Sequence, residues 1–306
     1  MTQVTIFRKS GGALTKQIWL GEDGSLKSDG SACVMTDGSA CRFVFARMQE
    51  LGERIERFGS DEALSLGPLR ADLSHSVRVV TKAKLNGGGH PGIIARSREY
   101  LVYREGAAAV VLLDFDAKGI PPDVANSLSA AGGFWPALVS VIKELEETAR
   151  IERASTSAGL YDERTGDTFP GSGGLHEYVL VADGADNERF LKALHQRCWL
   201  AGFGWMMVGA GGQLLERSIV DRVVGSPERL AFEGAPVLTS PLAQDKAARA
   251  PLVVDGTALD TLLACPPLTI VELAKLHELR TKAAHQLAGA CAKARDMFMC
   301  NSLNLI

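Results

Sequence analysis

Closely spaced cysteines are missing from this chain. Its six stand at 33, 41, 198, 265, 291 and 300, and the nearest pair, Cys33 and Cys41, has seven residues between. That excludes the short Cys-Cys ligand spacing of a zinc site and leaves reduced, buried thiols in a cytoplasmic protein as the expectation. Long apolar runs are missing too: none approaches the roughly 20 residues of a membrane span. The N-terminal Met1-Thr-Gln-Val-Thr-Ile-Phe-Arg8 alternates like a strand and does not build a signal-peptide core. No membrane partner is expected. Nor is there a surplus of positive charge, since the net charge is −3. A uniformly basic nucleic-acid binder is excluded, and any such contact must come from clusters such as Arg96-Ser-Arg98 or Arg217 with Arg222. Internal repeats and low-complexity tracts are absent. The 306 residues, 46% hydrophobic and 23% charged, allow one large globular domain with an appendage, or two domains.

Residues 3–20 read as two short strands forming a hairpin about Lys9-Ser-Gly-Gly12. Residues 21–40 read as loop, 43–58 as a helix and 77–81 as a strand, with a flexible Gly-rich turn over 86–91. Residues 92–103 lead into a strand over 107–116. Pro121-Pro122 opens a helix, and a second runs from 135 to 147. A Gly-rich segment, 155–174, precedes a strand over 175–181 and a helix over 187–200. Strands at 205–208 and 214–220 flank Gly209-Ala-Gly-Gly212. That turn is not a dinucleotide-binding loop, because a strand and no helix follows it. Residues 241–268 are punctuated by Pro and Ala and read as a linker. Thr269-Ile-Val-Glu272 is a capping box that opens a helical tail over 269–306, the start of a further domain if the chain continues. The element order is mixed α/β, of α+β class. It divides into an N-terminal α+β extension (1–75), a core (76–240), the linker and the tail.

Three segments carry polar groups at the ends of apolar strands. In Ala107-Ala-Ala-Val-Val-Leu-Leu-Asp114-Phe-Asp116 two carboxylates stand at i, i+2 and so point the same way. Like charges held together are costly unless a cation lies between them, and Mg²⁺ takes such oxygens while leaving room for phosphate. The alternative is that Asp114 caps the strand and Asp116 opens a solvated turn into Lys118-Gly119. Ser172-Gly-Gly174-Leu-His176 is a Gly-rich turn entering a strand, suited to backbone approach to phosphate, or merely a turn with a hydrogen-bonded histidine. Arg217-Ser-Ile-Val-Asp221-Arg222 ends a strand in a third carboxylate, free for metal or salt-bridged to its arginines. Together the set suits phosphoryl or nucleotidyl transfer. Asp114, Asp116 and Asp221 would bind two metals, and Lys118, Arg217 and Arg222 would lie near phosphate.

The same segments, in this order, resemble the archaeo-eukaryotic primase superfamily, especially the primase-polymerases of phages, plasmids and integrated mobile elements. Asp114-Phe-Asp116 is similar to its Asp-x-Asp motif, Gly174-Leu-His176 to its Ser-x-His and Val220-Asp221 to its apolar-Asp. The position of the motif's serine is Gly174, with Ser172 two residues earlier. The wider strings Ser155-Thr-Ser-Ala-Gly159, Leu175-His-Glu-Tyr-Val179, Pro227-Glu-Arg229 and Phe232-Glu-Gly234 also resemble the mobile-element branch, so the likeness spans about residues 90 to 240. It implies a primase-like core with an RRM-like module, and template-directed synthesis from nucleoside triphosphates with Mg²⁺ or Mn²⁺. It also implies a single-stranded DNA template and a helicase domain or protein as partner. Metal would fall to the three aspartates, and the triphosphate to His176, beside Ser172 and Gly174. The rivals are a two-metal nuclease or phosphohydrolase and a non-catalytic nucleic-acid-binding replication module.

Overall fold

The first ten elements follow from a tension between local turn signals and long-range pairing. Strands β1 (Thr2–Lys9), β2 (Gln17–Leu20), β3 (Leu26–Asp29) and β4 (Asp37–Phe45) precede helix α1 (Met48–Glu56). Then come β5 (Glu62–Ser65), β6 (Ser76–Val80), the single turn α2 (Lys82–Leu85), β7 (Ile93–Ala95) and β8 (Ala109–Phe115). The hairpin expected about Lys9–Gly12 does not form. Gly11 and Gly12 turn the chain away, β1 pairs antiparallel with β4 and β5, and β2 pairs with β3. The reason is burial: β1 is almost wholly inside, and it needs a strand on each edge. The helix expected from 43 begins only at Met48, because Phe43 and Phe45 sit opposite Val4 and Thr2 in the ladder. From there Met48, Leu51 and Ile55 form one buried stripe, at helical spacing.

The rest of the chain adds α3 (Pro122–Ala130), α4 (Phe134–Val141), β9 (Arg150–Ala154), β10 (Leu160–Asp162), β11 (Thr168–Phe169) and β12 (Leu175–Val181). After these come α5 (Asn187–Leu200), β13 (Gly204–Val208), β14 (Leu214–Ser218), β15 (Leu230–Ala231), β16 (Val237–Leu238), β17 (Leu242–Gln244) and β18 (Leu252–Val254). The short α6 (Thr261–Ala264) and long α7 (Ile270–Leu303) end the chain. This computed structural model describes residues 1–85 and 92–303, so the turn expected over 86–91, with His90, lies outside the described residues. The class is mixed α/β, with several sheets and, among the described residues, seven α-helices. No helix among them is long and apolar enough to cross a membrane.

Two compact units interleave along the sequence. The first comprises 1–114, 147–188 and 223–261, and the second 115–146, 189–222 and 262–306. The first unit contains a six-stranded sheet, β15-β5-β1-β4-β6-β7, over a core of Phe7, Leu14, Leu69, Val77, Val79 and Ile94. It also contains a four-stranded sheet, β18-β9-β12-β8. Helix α1 seals this sheet so closely that a Cβ on Gly52 would come 2.9 Å from the Val253 side chain. Residues 241–268, expected as a linker, carry β17 and β18 and the buried Arg249, and β18 pairs with β9. In the second unit, β13 and β14 form the hairpin expected about Gly209–Gly212, and α7 lies along β13. The capping box at its start is closed both ways: Thr269 N donates to Glu272 Oε2 at 2.7 Å, and Glu272 N to Thr269 Oγ1 at 3.3 Å.

Candidate functional site

Strand β8 is apolar on both faces until its sixth residue, Asp114, which is half-buried. Its neighbour β12 presents His176 and Tyr178 on one face and Glu177 on the other, as alternation requires. Across the β12–β9 ladder His176 stands opposite Arg153, so Arg153 shares its face, and Glu177 stands opposite Glu152. One face of the sheet therefore gathers Asp114, His176, Tyr178 and Arg153. His176 Nε2 lies 3.4 Å from Asp114 Oδ1.

A carboxylate from elsewhere in the first unit completes this face. Glu233 is fully buried. It is bonded to His176 Nδ1, accepts from the Tyr178 hydroxyl at 2.5 Å, and lies 3.2 Å from Arg153 Nη1 and 3.5 Å from Arg249 Nη2. Its position is fixed by its neighbour: a Cβ on Gly234 would stand 2.3 Å from the Gly59 carbonyl oxygen, so only glycine lets the chain pass. The two arginines are tied down as well. Arg153 donates to the carbonyls of Ile55 and Arg249, each at 3.0 Å, and Arg249 to that of Ala154 at 3.3 Å.

These neighbours set the ionisation. Burial alone would raise Glu233, but the charge and hydrogen bond of His176, with Arg153 and Tyr178, hold its carboxyl well below the ordinary range. Burial lowers His176, and Glu233 with help from Asp114 outweighs it, so the imidazole keeps its proton above its ordinary value. Burial and the proximity of Arg153 bring Arg249 down to about 10, still charged at neutral pH. Glu233 is thus ionised beside Arg249, which keeps its charge, and His176 holds its proton more tightly than a free imidazole. The water-facing end of the cluster is the His176–Asp114 pair, with side chains 17% and 29% exposed, against 0% for Glu233. A ligand would meet His176 and Asp114 first.

The remaining residues expected in a site stand as follows. Asp116 is exposed just past β8, and its Oδ1 accepts from Lys118 N at 3.0 Å, the geometry of a turn; Lys118 itself is exposed. Ser172 is exposed and bonded to the hydroxyls of Ser155 and Ser157 at 2.9 and 3.1 Å. Gly174 is buried, its carbonyl accepting from Ser155 N. In the second unit Asp221 is half-buried, Arg217 is exposed on β14, and Arg222 lies 3.8 Å from Glu216. The segment that ends in Asp221 is braced from behind. Val220 N donates to Ser218 Oγ at 3.2 Å, Ser218 Oγ lies 2.9 Å from His195 Nδ1, and His195 Nε2 lies 2.9 Å from Glu216.

The structure thus brings Asp114 and His176 together within the first unit. Sequence reasoning missed Glu233, Arg153 and Arg249 as members of that cluster. The only sequence signal for Glu233 was its place in Phe232-Glu-Gly234. The donor chemistry of Asp114 and Asp116, two carboxylates with access to water, fits a hard divalent cation. Among the described residues, no group of three or more His, Cys, Asp or Glu side chains is assembled to hold a metal ion. No family model matches the chain, and no curated protein and no solved structure matches it.

Proposed function

We propose that this chain is a DNA primase-polymerase that joins nucleoside triphosphates on a single-stranded template, built on a primase-like core. The observation that carries the reading is the pairing of Asp114 with His176 on neighbouring strands. These residues resemble those of the Asp-x-Asp and Ser-x-His motifs, and they lie 3.4 Å apart over a buried cluster that strengthens the imidazole's hold on its proton. In this reading Mg²⁺ or Mn²⁺, held by Asp114, Asp116 and Asp221, would neutralise triphosphate charge and favour ionisation of the attacking 3′-hydroxyl.

The chain's own residues do the rest. His176, fixed at Nδ1 by Glu233, would in its protonated form offer Nε2–H to a triphosphate oxygen, a charge-assisted hydrogen bond. Arg217, Arg222 and Lys118 add positive charge for phosphate. Gly174, lacking a side chain, lets backbone come near it, and Ser172 is held by its serine neighbours at the same turn.

Primer synthesis on single-stranded DNA with labelled nucleotides and Mg²⁺ or Mn²⁺ tests the proposal. Labelled oligomers should appear with the wild type and vanish with Asp114→Ala or Asp116→Ala, both variants staying folded. Synthesis by either variant would remove the metal assignment. No product from a wild type that still binds nucleotide and DNA would turn the reading to a non-catalytic replication module. Consumption of labelled DNA without nucleotides would turn it to a nuclease.

A further inference from the structure

At the edge of the six-stranded sheet of the first unit lies an open pocket of about 700 Å³, away from the cluster around Glu233 in its lining residues. That volume is in the range of ligand sites, roughly 300–1,000 Å³. Its walls are the single turn α2, the end of the edge strand β7, the turn over 97–100, and Glu228. Three cations, Lys82, Arg96 and Arg98, line it with two carboxylates, Glu99 and Glu228, and Ser97 and Tyr100 lie between them in the lining.

The cations are not equally occupied. Arg98 is ion-paired with Glu188 at 2.8 Å and Glu228 at 3.4 Å. Lys82 is exposed and makes no ion pair among the described residues. Arg96 is half-buried at the end of β7, and its hydrogen bond runs from Nη1 to the Glu228 backbone carbonyl at 2.7 Å, not to a carboxylate. A guanidinium has five N–H donors, so most of this one's remain to be satisfied. Burial lowers its pKa, the charge of Glu228 opposing and that of Arg229 adding to the effect. The nearby Tyr100 ring is half-buried and carries Arg70 at 5.6 Å from its centroid. Two cations with spare donors, a serine hydroxyl and an aromatic wall are the equipment of a phosphate-backbone site.

We propose that this pocket binds the phosphodiester backbone of single-stranded nucleic acid through Lys82 and Arg96, with Arg98 exchanging its carboxylate partners for phosphate. The phosphate chemistry stands on the pocket alone, while the choice of nucleic acid over free phosphate rests on the primase-polymerase reading.

The test is binding of labelled oligothymidylate to the full chain, followed by fluorescence anisotropy across a salt series. Wild type is compared with Lys82→Gln and with Lys82→Gln/Arg96→Gln. Each phosphate contact to a single strand contributes about 0.7 to the slope of log K against log salt. Losing two should flatten the slope by about 1.4 and weaken binding ~10- to 100-fold at low salt. Lys82→Gln alone, at an exposed position, should flatten it by about half as much, so the proposal does not hang on the folding of the Arg96 variant.

Unchanged affinity and slope in Lys82→Gln and in a folded double variant would overturn the pocket. Full displacement by millimolar inorganic phosphate, with no dependence on oligonucleotide length, would overturn the nucleic-acid assignment. Weakened binding in the variants, with no primer synthesis by the wild type, would support the pocket and remove the polymerase reading. Synthesis by the wild type, with binding untouched by the variants, would do the reverse.

Discussion

Replacing Glu177 by Gln should change how the stability of this protein depends on pH. Glu177 is fully buried on the face of β12 that turns away from His176. Its Oε2 accepts from Arg150 Nη1 at 2.8 Å, but the same nitrogen lies 3.4 Å from Glu152, so two carboxylates share one guanidinium. Oε1 is buried without a donor. Burial pushes the carboxyl up to about 8 from 4.5, Arg150 opposing and Glu152 adding. The folded state therefore keeps a proton that the unfolded chain releases. The stability this confers is complete below about 4.5 and is lost as pH rises through about 8. A tenfold difference in proton affinity is worth about 1.4 kcal/mol, which makes the whole interval roughly 3–5 kcal/mol once the sharing of Arg150 is allowed for. Glutamine imitates the protonated form, its amide donating toward Glu152. Urea unfolding of wild type and Glu177→Gln at pH 5 and pH 9 is the assay, read as the difference between the two proteins at each pH. The difference should be under about 1 kcal/mol at pH 5, and the variant should be the more stable by about 3–5 kcal/mol at pH 9. A difference that is the same at both pH values would refute the argument that Glu177 is neutral.

On the opposite face, Glu233→Gln should destabilise by about 3–5 kcal/mol in a thermal or urea melt, because Arg153 and Arg249 would remain buried without their counter-charge. An NMR titration of the same variant should show His176 losing its proton at lower pH than in wild type, since the carboxylate that raises it is gone. In the wild type the His176 contribution is complete below the ordinary imidazole value and fades as pH rises through the raised one. Thr269→Ala should cost about 1 kcal/mol and speed amide exchange in the first turn of α7, because both arms of the capping box end on this residue and Glu272.

Elements with dense local signals were legible in the sequence. Leu175–Val181 and Asn187–Leu200 fall where periodicity put them, Pro121-Pro122 opens α3, and Thr269 caps α7. The N-terminal region was not legible, because its strands are fixed by partners far along the chain. β1 is completed by 37–45 and 62–65, and the apolar spacing of Phe43 and Phe45 serves a strand as well as a helix. Strand β18 was hidden for the same reason, being three residues long and defined by its pairing with β9. At the site, Asp114 and His176 announced themselves by standing at strand ends in apolar surroundings. Glu233, Arg153 and Arg249 did not, since nothing in local sequence distinguishes a buried ion cluster from solvated charge until residues 153, 233 and 249 are brought together.

The two buried carboxylates against β12 show what decides ionisation in this sheet. Burial is common to Glu177 and Glu233, and for both it acts to raise the pKa. They end in opposite states because their partners differ. Glu233 has a tyrosine hydroxyl, an imidazole and two guanidiniums around its two oxygens, while Glu177 has one guanidinium and must share it. The consequence reaches the surface through His176. With Nδ1 engaged by an ionised Glu233, the proton held there is stabilised, and Nε2 is the ring nitrogen left on the side of Asp114. A neutral residue in place of Glu233 would leave the fold of β12 its hydrogen bonds to β9 but would remove the main group that raises the proton affinity of His176. The raised proton affinity of His176 at the mouth of the site is therefore set largely by a carboxylate that no ligand can touch, and the alternation of a single strand keeps the proton on Glu177 on the opposite face.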